Sequence, residues 1–239
     1  MKKDFIGILM AAGTGTRLGH GTTKGLVEVA GRPMAFYAID FLRAIGAKEI
    51  IVIGGCDYQK LKEKILNYDN SVKVAENLEY KKGNLYTLLK VLPDINSSFL
   101  LANTDHIYKK AIAELVANQL NGITAFCDFD RKLGDDDMKV WHENMKLNQI
   151  SKKLDKFNAG YIGLTYCDKD YIDQYKKQVE DMLKEDNEKL VVEDVLRGLV
   201  NSGADINIGD ISGYGWLEVD FLEELKRAEK EILNNKELY

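Results

Sequence analysis

The sequence has little cysteine. Cys56, Cys127 and Cys167 are odd in number and far apart. That excludes a disulfide framework and any zinc-type spacing, and three reduced thiols are the plain reading. Histidine is as scarce, and His20, His106 and His142 form no metal spacing. No apolar stretch approaches the ~20 residues that cross a bilayer. The opening "MKKDFIGILMAAG" enters a strand pattern with no signal-peptide cleavage region. Nor is there an excess of positive charge. The net charge of −5 argues against general nucleic-acid binding, and any anionic ligand then needs a local group of cations. Linkers, repeats and low-complexity segments are absent. A cytoplasmic protein is the expectation.

What is present is an ordinary globular composition, 45% hydrophobic and 30% charged over 239 residues, ample for a sizeable core. The first half alternates two periodicities. Phe5–Ala11 reads as a buried strand and "LVEV" (Leu26–Val29) as a short extended piece. Pro33 suits a first helical position, and "MAFYAIDFLRAI" carries helix periodicity up to Gly46, a C-terminal stop. Strands follow at Glu49–Gly55, Val72–Ala75 and Ser98–Asn103, with helices "YQKLKEKILNY" and "LYTLLKVL" between them. This alternation predicts an α/β fold with a Rossmann-like, mostly parallel sheet and helices on both faces.

After "ITAFCDF" (Ile123–Phe129) the style changes. "MKVWH", "KLNQIS" and "AGYIGLTY" read as shorter, partly antiparallel strands. Helices follow at about 169–183 and 190–200, then "DINIGDI" and a C-terminal helix from about Asp220. The expectation is one domain over residues 1–239. Its half up to about residue 128 would bind a nucleotide. Residues from about 129 to 239 would form a smaller, lid-like acceptor-binding subregion.

"GILMAAGTGTRLG" (Gly7–Gly19) ends its apolar run at Ala12 and continues with glycines, threonines and Arg17. The dinucleotide fingerprint fails, because Leu18 stands at its third glycine and Gly54-Gly55 where an acidic residue belongs. The phosphate loop with a G-K-[ST] ending fails too, since Lys24 lies between Thr23 and Gly25. A long, exposed, hydroxyl-rich loop carrying Arg17 and Lys24 suits wrapping a nucleoside triphosphate with backbone N–H groups and two cations. An ordinary surface loop is the alternative.

"LMAAGTGTRLG…TKGLVEVAGRPM" resembles the signature of the nucleotidyltransferases that activate sugar phosphates and phospho-alcohols, L-A-A-G-x-G-x-R followed by P-K-x-L. Thr23 replaces the proline of that pattern, which predicts a looser loop around Lys24. "LLANTDHIY", "FNAGYIGL" and "WLEVDFLEELKRAEK" resemble further segments of the family. "GNLYTLL" is similar to the N-x-Y-S segment of its phosphocholine and inositol-phosphate cytidylyltransferases rather than to the G-T-A of its sugar branch. "DDDMKVW" and "ISKKLDKFNAG" also resemble the inositol-1-phosphate branch. Some members of that branch are fused to a membrane-spanning synthase, for which this sequence has no segment.

The resemblance implies roles for particular residues. Arg17 takes the β- and γ-phosphates, and Lys24 bridges the α-phosphate and the incoming phosphate. Lys139 binds the acceptor phosphate, with Lys152 and Lys153 as weaker candidates. Ala11, Ala12, Gly13, Thr14 and Gly15 line the nucleotide with Asn84 and Thr87, Asn84 also being a candidate helix cap. Asn158, Gly160 and Glu193 line the acceptor pocket. Asp105 and Asp220 hold Mg2+, since two carboxylates beside a triphosphate repel it unless a divalent cation lies between. Their mutual repulsion predicts that neutralising either leaves the metal-free protein no less stable. His106 is read as structural, because a phosphate dianion needs no general base.

The implied reaction is Mg2+-dependent cytidylyl transfer from CTP to a small phospho-alcohol. Inositol-1-phosphate is the first candidate, and phosphocholine-like or phosphonate acceptors follow. A sugar-1-phosphate uridylyl- or thymidylyltransferase is the enzymatic alternative, and a non-catalytic nucleotide-sensing domain the alternative of another class. The expected partners are the nucleotide and the acceptor, with no nucleic acid and no membrane span. Assembly is left open, a homodimer among the options.

Overall fold

The computed structural model describes residues 3–19, 21–184 and 190–239. His20 lies outside the described residues. Among these residues the central feature is a nine-stranded mixed sheet. Four strands from the first half are parallel: β1 (Ile6–Ala11) lies between β4 (Glu49–Gly54) and β6 (Phe99–Asn103), and β5 (Lys73–Glu76) pairs with β4. Between them come two minor strands, β2 (Glu28–Val29) and β3 (Arg32–Pro33). The long strand β11 (Ala159–Cys167) runs antiparallel between β6 and β8 (Ile123–Asp128). Beyond β8 lie β12 (Ile206–Asp210), β10 (Lys146–Ser151) and β9 (Lys139–Glu143). The two halves of the sequence therefore interleave in one sheet, because a strand from the second half sits between two from the first.

The apolar alternation of β1 explains its central place. Ile8 and Met10 join one core and Leu9 and Ala11 the other, so both faces are buried. Helices α1 (Met34–Ile45), α2 (Tyr58–Tyr68) and α4 (Lys110–Asn118) cover one face. The other is covered by α3 (Asn84–Leu88), α5 (Ile172–Leu183) and α6 (Val192–Asn201). Gly7 lets α1 approach β1 closely, since a Cβ there would meet Leu42 at 3.1 Å. No helix among the described residues is long and apolar enough to cross a membrane.

Several local expectations need correction. Pro33 precedes helix α1 rather than opening it: its ψ of 137° is extended, and the helix begins at Met34. The expected helix over "LYTLLKVL" is only the five residues of α3, and a tight turn containing Pro93 follows. Leu26 sits in a helical turn with Lys24 and Gly25, so the extended piece is shorter than expected.

The last helix, α7 (Leu222–Asn234), packs against the loop after β1. Its Leu225, Ala228 and Ile232 share a third small core with Leu18 and Val27 of the loop after β1. The C-terminal segment thus packs beneath the N-terminal loop, and this placement brings Asp220 to the site.

Candidate active site

In the parallel part of the sheet the chain turns outward between β1 and β6, whose ends are paired at Met10 and Asn103. Ligands of open α/β sheets lie beyond the carboxyl ends of strands at such a switch. Here the loop after β1 meets Thr104 and Asp105, just past β6. A second device adds a third segment. Strand β7 (His106–Tyr108) pairs antiparallel with β13 (Trp216–Glu218), and the Val219 N–H donates to the Asp105 carbonyl at 3.0 Å. Asp220 therefore lies beside Asp105 although 115 residues separate them in sequence.

Both carboxylates converge on Lys24. Its Nζ donates to Asp105 Oδ2 at 2.8 Å and also to Asp220 Oδ1. The lysine side chain is only 14% exposed, so the expectation of an exposed loop lysine is corrected. Burial alone would lower its pKa, but the two carboxylates outweigh burial and raise it. Burial would raise the pKa of Asp105, yet Lys24 and His106 hold it far below the usual carboxylate range. His106 donates its Nδ1–H to Asp105 Oδ1 at 2.5 Å. Burial opposes its protonation, while Asp105 and Glu218 favour it, and the net shift is upward.

Two cavities meet at this point. One, of about 260 Å³, is lined by Ala12, Gly13, Lys24, Tyr80, Lys81, Asn84, Thr87, Thr104 and Asp105, among others. The other, of about 180 Å³, is rich in carboxylates: Asp105, Asp136, Asp137, Glu193, Glu218 and Asp220, with Lys152 as its lysine. Asp105 lines both, so the carboxylate pair and Lys24 stand where the two cavities adjoin.

A family model for the MobA-like NTP transferase domain matches residues 7–138, more than half the chain. The chain belongs to this nucleotidyltransferase family. It is 28% identical over 229 residues to a bifunctional IPC transferase and DIPP synthase of Thermococcus kodakarensis (strain ATCC BAA-918 / JCM 12380 / KOD1), covering 95% of this chain and 50% of that protein. This nucleotidyltransferase thus spans about half the length of that relative. It is 24% identical to a choline-phosphate cytidylyltransferase of Streptococcus pneumoniae (strain ATCC BAA-255 / R6), covering 96% and 98% of the two. The fold matches the solved inositol-1-phosphate CTP transferase of T. maritima with a TM-score of 0.79, at 20% identity and over 96% and 98% of the two chains.

The structure distributes the residues singled out from the sequence of this nucleotidyltransferase unevenly. Ala12, Gly13, Lys24, Asn84, Thr87 and Asp105 line the larger cavity, and Glu193, Asp105 and Asp220 the smaller. Ala11, Thr14 and Gly15 are occupied within the loop. The Ala11 carbonyl accepts from Thr23 Oγ1, Thr14 bridges to Thr23, and the Gly15 N–H donates to the Thr22 carbonyl. Arg17 is exposed, with its guanidinium over the Phe221 ring at 5.6 Å.

Three acceptor candidates point elsewhere. Lys139 Nζ donates to the Lys152 carbonyl at 2.8 Å and does not line the cleft, whereas Lys152 does. Successive residues of an extended chain face opposite sides, and Met138 takes the cleft side here. The Asn158 amide is exposed and bonded to the backbone of His142 on β9. Gly160 makes room for packing, since a Cβ there would meet Leu133 at 2.5 Å. Asn84 is not the cap of its own helix. Its Oδ1 accepts the Val192 N–H at 2.8 Å and so serves the start of α6.

Thr23 corrects a further expectation. The loop is tied, not loosened: Thr23 is fully buried and its hydroxyl reaches the Ala11 carbonyl at 3.1 Å. Sequence reasoning missed Tyr80, Lys81, Thr104 and Glu218. "YKKG" ahead of "GNLYTLL" was the available signal for the first two, an aromatic and cations beside a glycine. Thr104 Oγ1 is buried without a hydrogen-bond partner among the described residues and lines the larger cavity.

The donor set fits a hard divalent cation. Two carboxylates share one point, held there by Lys24. Mg2+ uses one or two carboxylates and completes its shell with water and phosphate oxygens. Among the described residues no three His, Cys, Asp or Glu side chains gather into a closed metal cage.

Proposed function

We propose that this nucleotidyltransferase transfers a cytidylyl group from CTP to a small phospho-alcohol, with inositol-1-phosphate as first acceptor, releasing pyrophosphate. One observation carries the reading: Lys24, Asp105 and Asp220, from three distant segments, meet where the two cavities join. The names of relatives that align over nearly the whole chain support the nucleotide and the acceptor class. We read residues 1–239 as one such domain.

In this reading the larger cavity takes the nucleotide and the smaller the acceptor. An acceptor phosphate oxygen attacks the α-phosphorus, forming one P–O bond. The bond from that phosphorus to the oxygen it shares with the β-phosphorus breaks, and pyrophosphate leaves with those electrons. Positioning and charge stabilisation carry such transfers. Lys24 lies at the junction and supplies a cation to the crowded phosphates, while Arg17 meets the leaving end. Asp105 and Asp220 would hold Mg2+, which neutralises phosphate charge when bound. His106 is committed to Asp105 and takes no proton from the acceptor.

The carboxylates of the smaller cavity favour acceptors that donate hydrogen bonds or carry positive charge. Inositol hydroxyls meet the first condition. A phosphocholine-like ammonium meets the second, which is the alternative acceptor. The test is pyrophosphate release from four nucleoside triphosphates against inositol-1-phosphate, phosphocholine, an aminoalkyl phosphonate and a hexose-1-phosphate. We expect the highest kcat/KM with CTP and inositol-1-phosphate. Equal or better turnover of UTP with the hexose phosphate would replace this reading with the sugar-activating one.

A further inference from the structure

We infer that His106 is a positioning residue: it fixes Asp105 so that one carboxylate oxygen is reserved for the cation point. This rests on the reading of Asp105 as a metal ligand. The two oxygens of Asp105 have different partners. Oδ1 faces His106 Nδ1 at 2.5 Å, and Oδ2 faces Lys24 Nζ at 2.8 Å. A carboxylate held at one oxygen loses its freedom to rotate and presents the other in a fixed direction. Ligating carboxylates are commonly held by hydrogen bonds in this way, and loss of such support costs about 10–100-fold in metal affinity.

The imidazole is itself clamped on three sides. One face stacks on Trp216, with ring centroids 4.9 Å apart and planes 8° from parallel. Trp216 is fixed in turn: its Nε1 donates to Asp128 Oδ2 at 3.1 Å, and the Arg131 guanidinium lies 3.9 Å from its ring centre. On the Nε2 side Gly163 leaves the room the ring needs. A Cβ there would come within 3.0 Å of Nε2, and its φ of +73° is a conformation that side chains resist. His106 is 5% exposed, so little of it reaches bulk solvent. An imidazole needed only to fill space would not require a tryptophan stack, a glycine and a hydrogen bond to a carboxylate together. The register of β7 against β13 supplies the clamp, because the same pairing sets Trp216 and Asp220 relative to Asp105.

The experiment measures Mn2+ binding to the nucleotide-free protein by electron paramagnetic resonance. The variants are His106→Phe, which keeps a ring against Trp216 without the donor, and His106→Asn, whose side-chain N–H falls at the Nδ1 position. Asp105→Asn is the control. We expect His106→Phe to weaken Mn2+ binding about 10–100-fold and His106→Asn to recover most of it. In parallel, the Nδ1–H proton of wild-type His106 should give a downfield NMR signal that shifts on adding Mg2+ and disappears in Asp105→Asn. This second measurement stands even if His106→Phe does not fold. Unchanged Mn2+ affinity in folded His106→Phe, equal loss in the Asn and Phe variants, or an Nδ1–H signal blind to Mg2+ would overturn the inference. If Asp105→Asn itself leaves Mn2+ binding unchanged, the metal-site reading fails, a result distinct from failure of His106 alone.

Discussion

Lys24 and Asp105 are ion-paired at 2.8 Å across 81 residues of sequence, and Asp220 shares the same lysine nitrogen. The lysine assigned to the phosphates is thus also what neutralises the two carboxylates in the ligand-free chain. Lys24→Ala should lower kcat by about 10²–10³, the effect of removing one transition-state charge stabiliser. It should also lower the stability of the metal-free protein. Removing one partner of a fully buried pair costs about 3–5 kcal/mol, and these side chains keep 14–29% exposure, so roughly 1–3 kcal/mol is expected. Urea unfolding in EDTA measures it, and millimolar Mg2+ should restore part of the loss. Unaltered stability in EDTA would show that the pairing is not maintained in solution.

The same pairing reverses an expectation drawn from repulsion alone. Asp105→Asn and Asp220→Asn each take a counter-charge from buried Lys24, so each should destabilise the metal-free protein instead of leaving it unaffected. Asp105→Asn should cost more, because Asp105 also holds His106. On kcat at saturating Mg2+, each change should cost orders of magnitude, and the double variant little more than the worse single one, as for residues that act as a unit. Strict additivity in that cycle would separate the two carboxylates, and Asp220 would lose its assignment.

The alternating half of the fold was legible because it depends on local periodicity. Strand β1 must be central when five consecutive residues are apolar on both faces, and Gly46 ends α1 with a φ of +113°. Motif resemblance made the convergence of Lys24, Asp105 and Asp220 legible, and the structure brings those three side chains together. The site was not legible at Lys139 and Asn158, because strand period two makes a one-residue error a change of face. Lys139 and Met138 differ by that one residue. Nor could the sequence show that α7 packs under the loop after β1, since that contact spans nearly the whole chain.

Thr23 gives a test of the loop itself. Its φ of −59° is the value proline imposes, and the bridge around it uses the Thr22 carbonyl and the Lys24 N–H, not its own N–H. Thr23→Pro should therefore keep stability within about 1 kcal/mol, the lost hydroxyl bond being offset by a stiffer unfolded chain. Thr23→Val keeps the shape but strands the Ala11 carbonyl, and should cost about 1–2 kcal/mol. A proline variant clearly less stable than the valine one would show that the φ match does not describe the loop.

The three thiols should react unequally. Burial pushes the thiols of Cys127 and Cys167 far above the usual range, whereas Cys56 is half-buried and only moderately raised. Thiolate availability and access set reactivity. A disulfide reagent at neutral pH should therefore titrate one thiol per native chain and three on unfolding. Rapid reaction of two or more native thiols would contradict the burial of β8 and β11.

Asn84 separates capping from ligand contact. Its Oδ1 accepts the N–H of Val192 at the start of α6, one residue before Glu193, and its side chain lines both cavities. Asn84→Ala removes that acceptor and should cost about 1 kcal/mol, the usual loss of a helix cap. Asn84→Asp keeps an acceptor there, and its gain from the helix dipole is offset by repulsion from the carboxylates of the smaller cavity, so its stability should lie between Asn84→Ala and wild type. Both variants lose the amide donor. If that donor touches the nucleotide, both should raise the KM for CTP about tenfold, one hydrogen bond to a charged group. Denaturant midpoints and KM values for the two variants decide the matter. Equal stability of Asn84→Ala and wild type would remove the cap, and a KM unchanged in both would leave Asn84 with the cap alone.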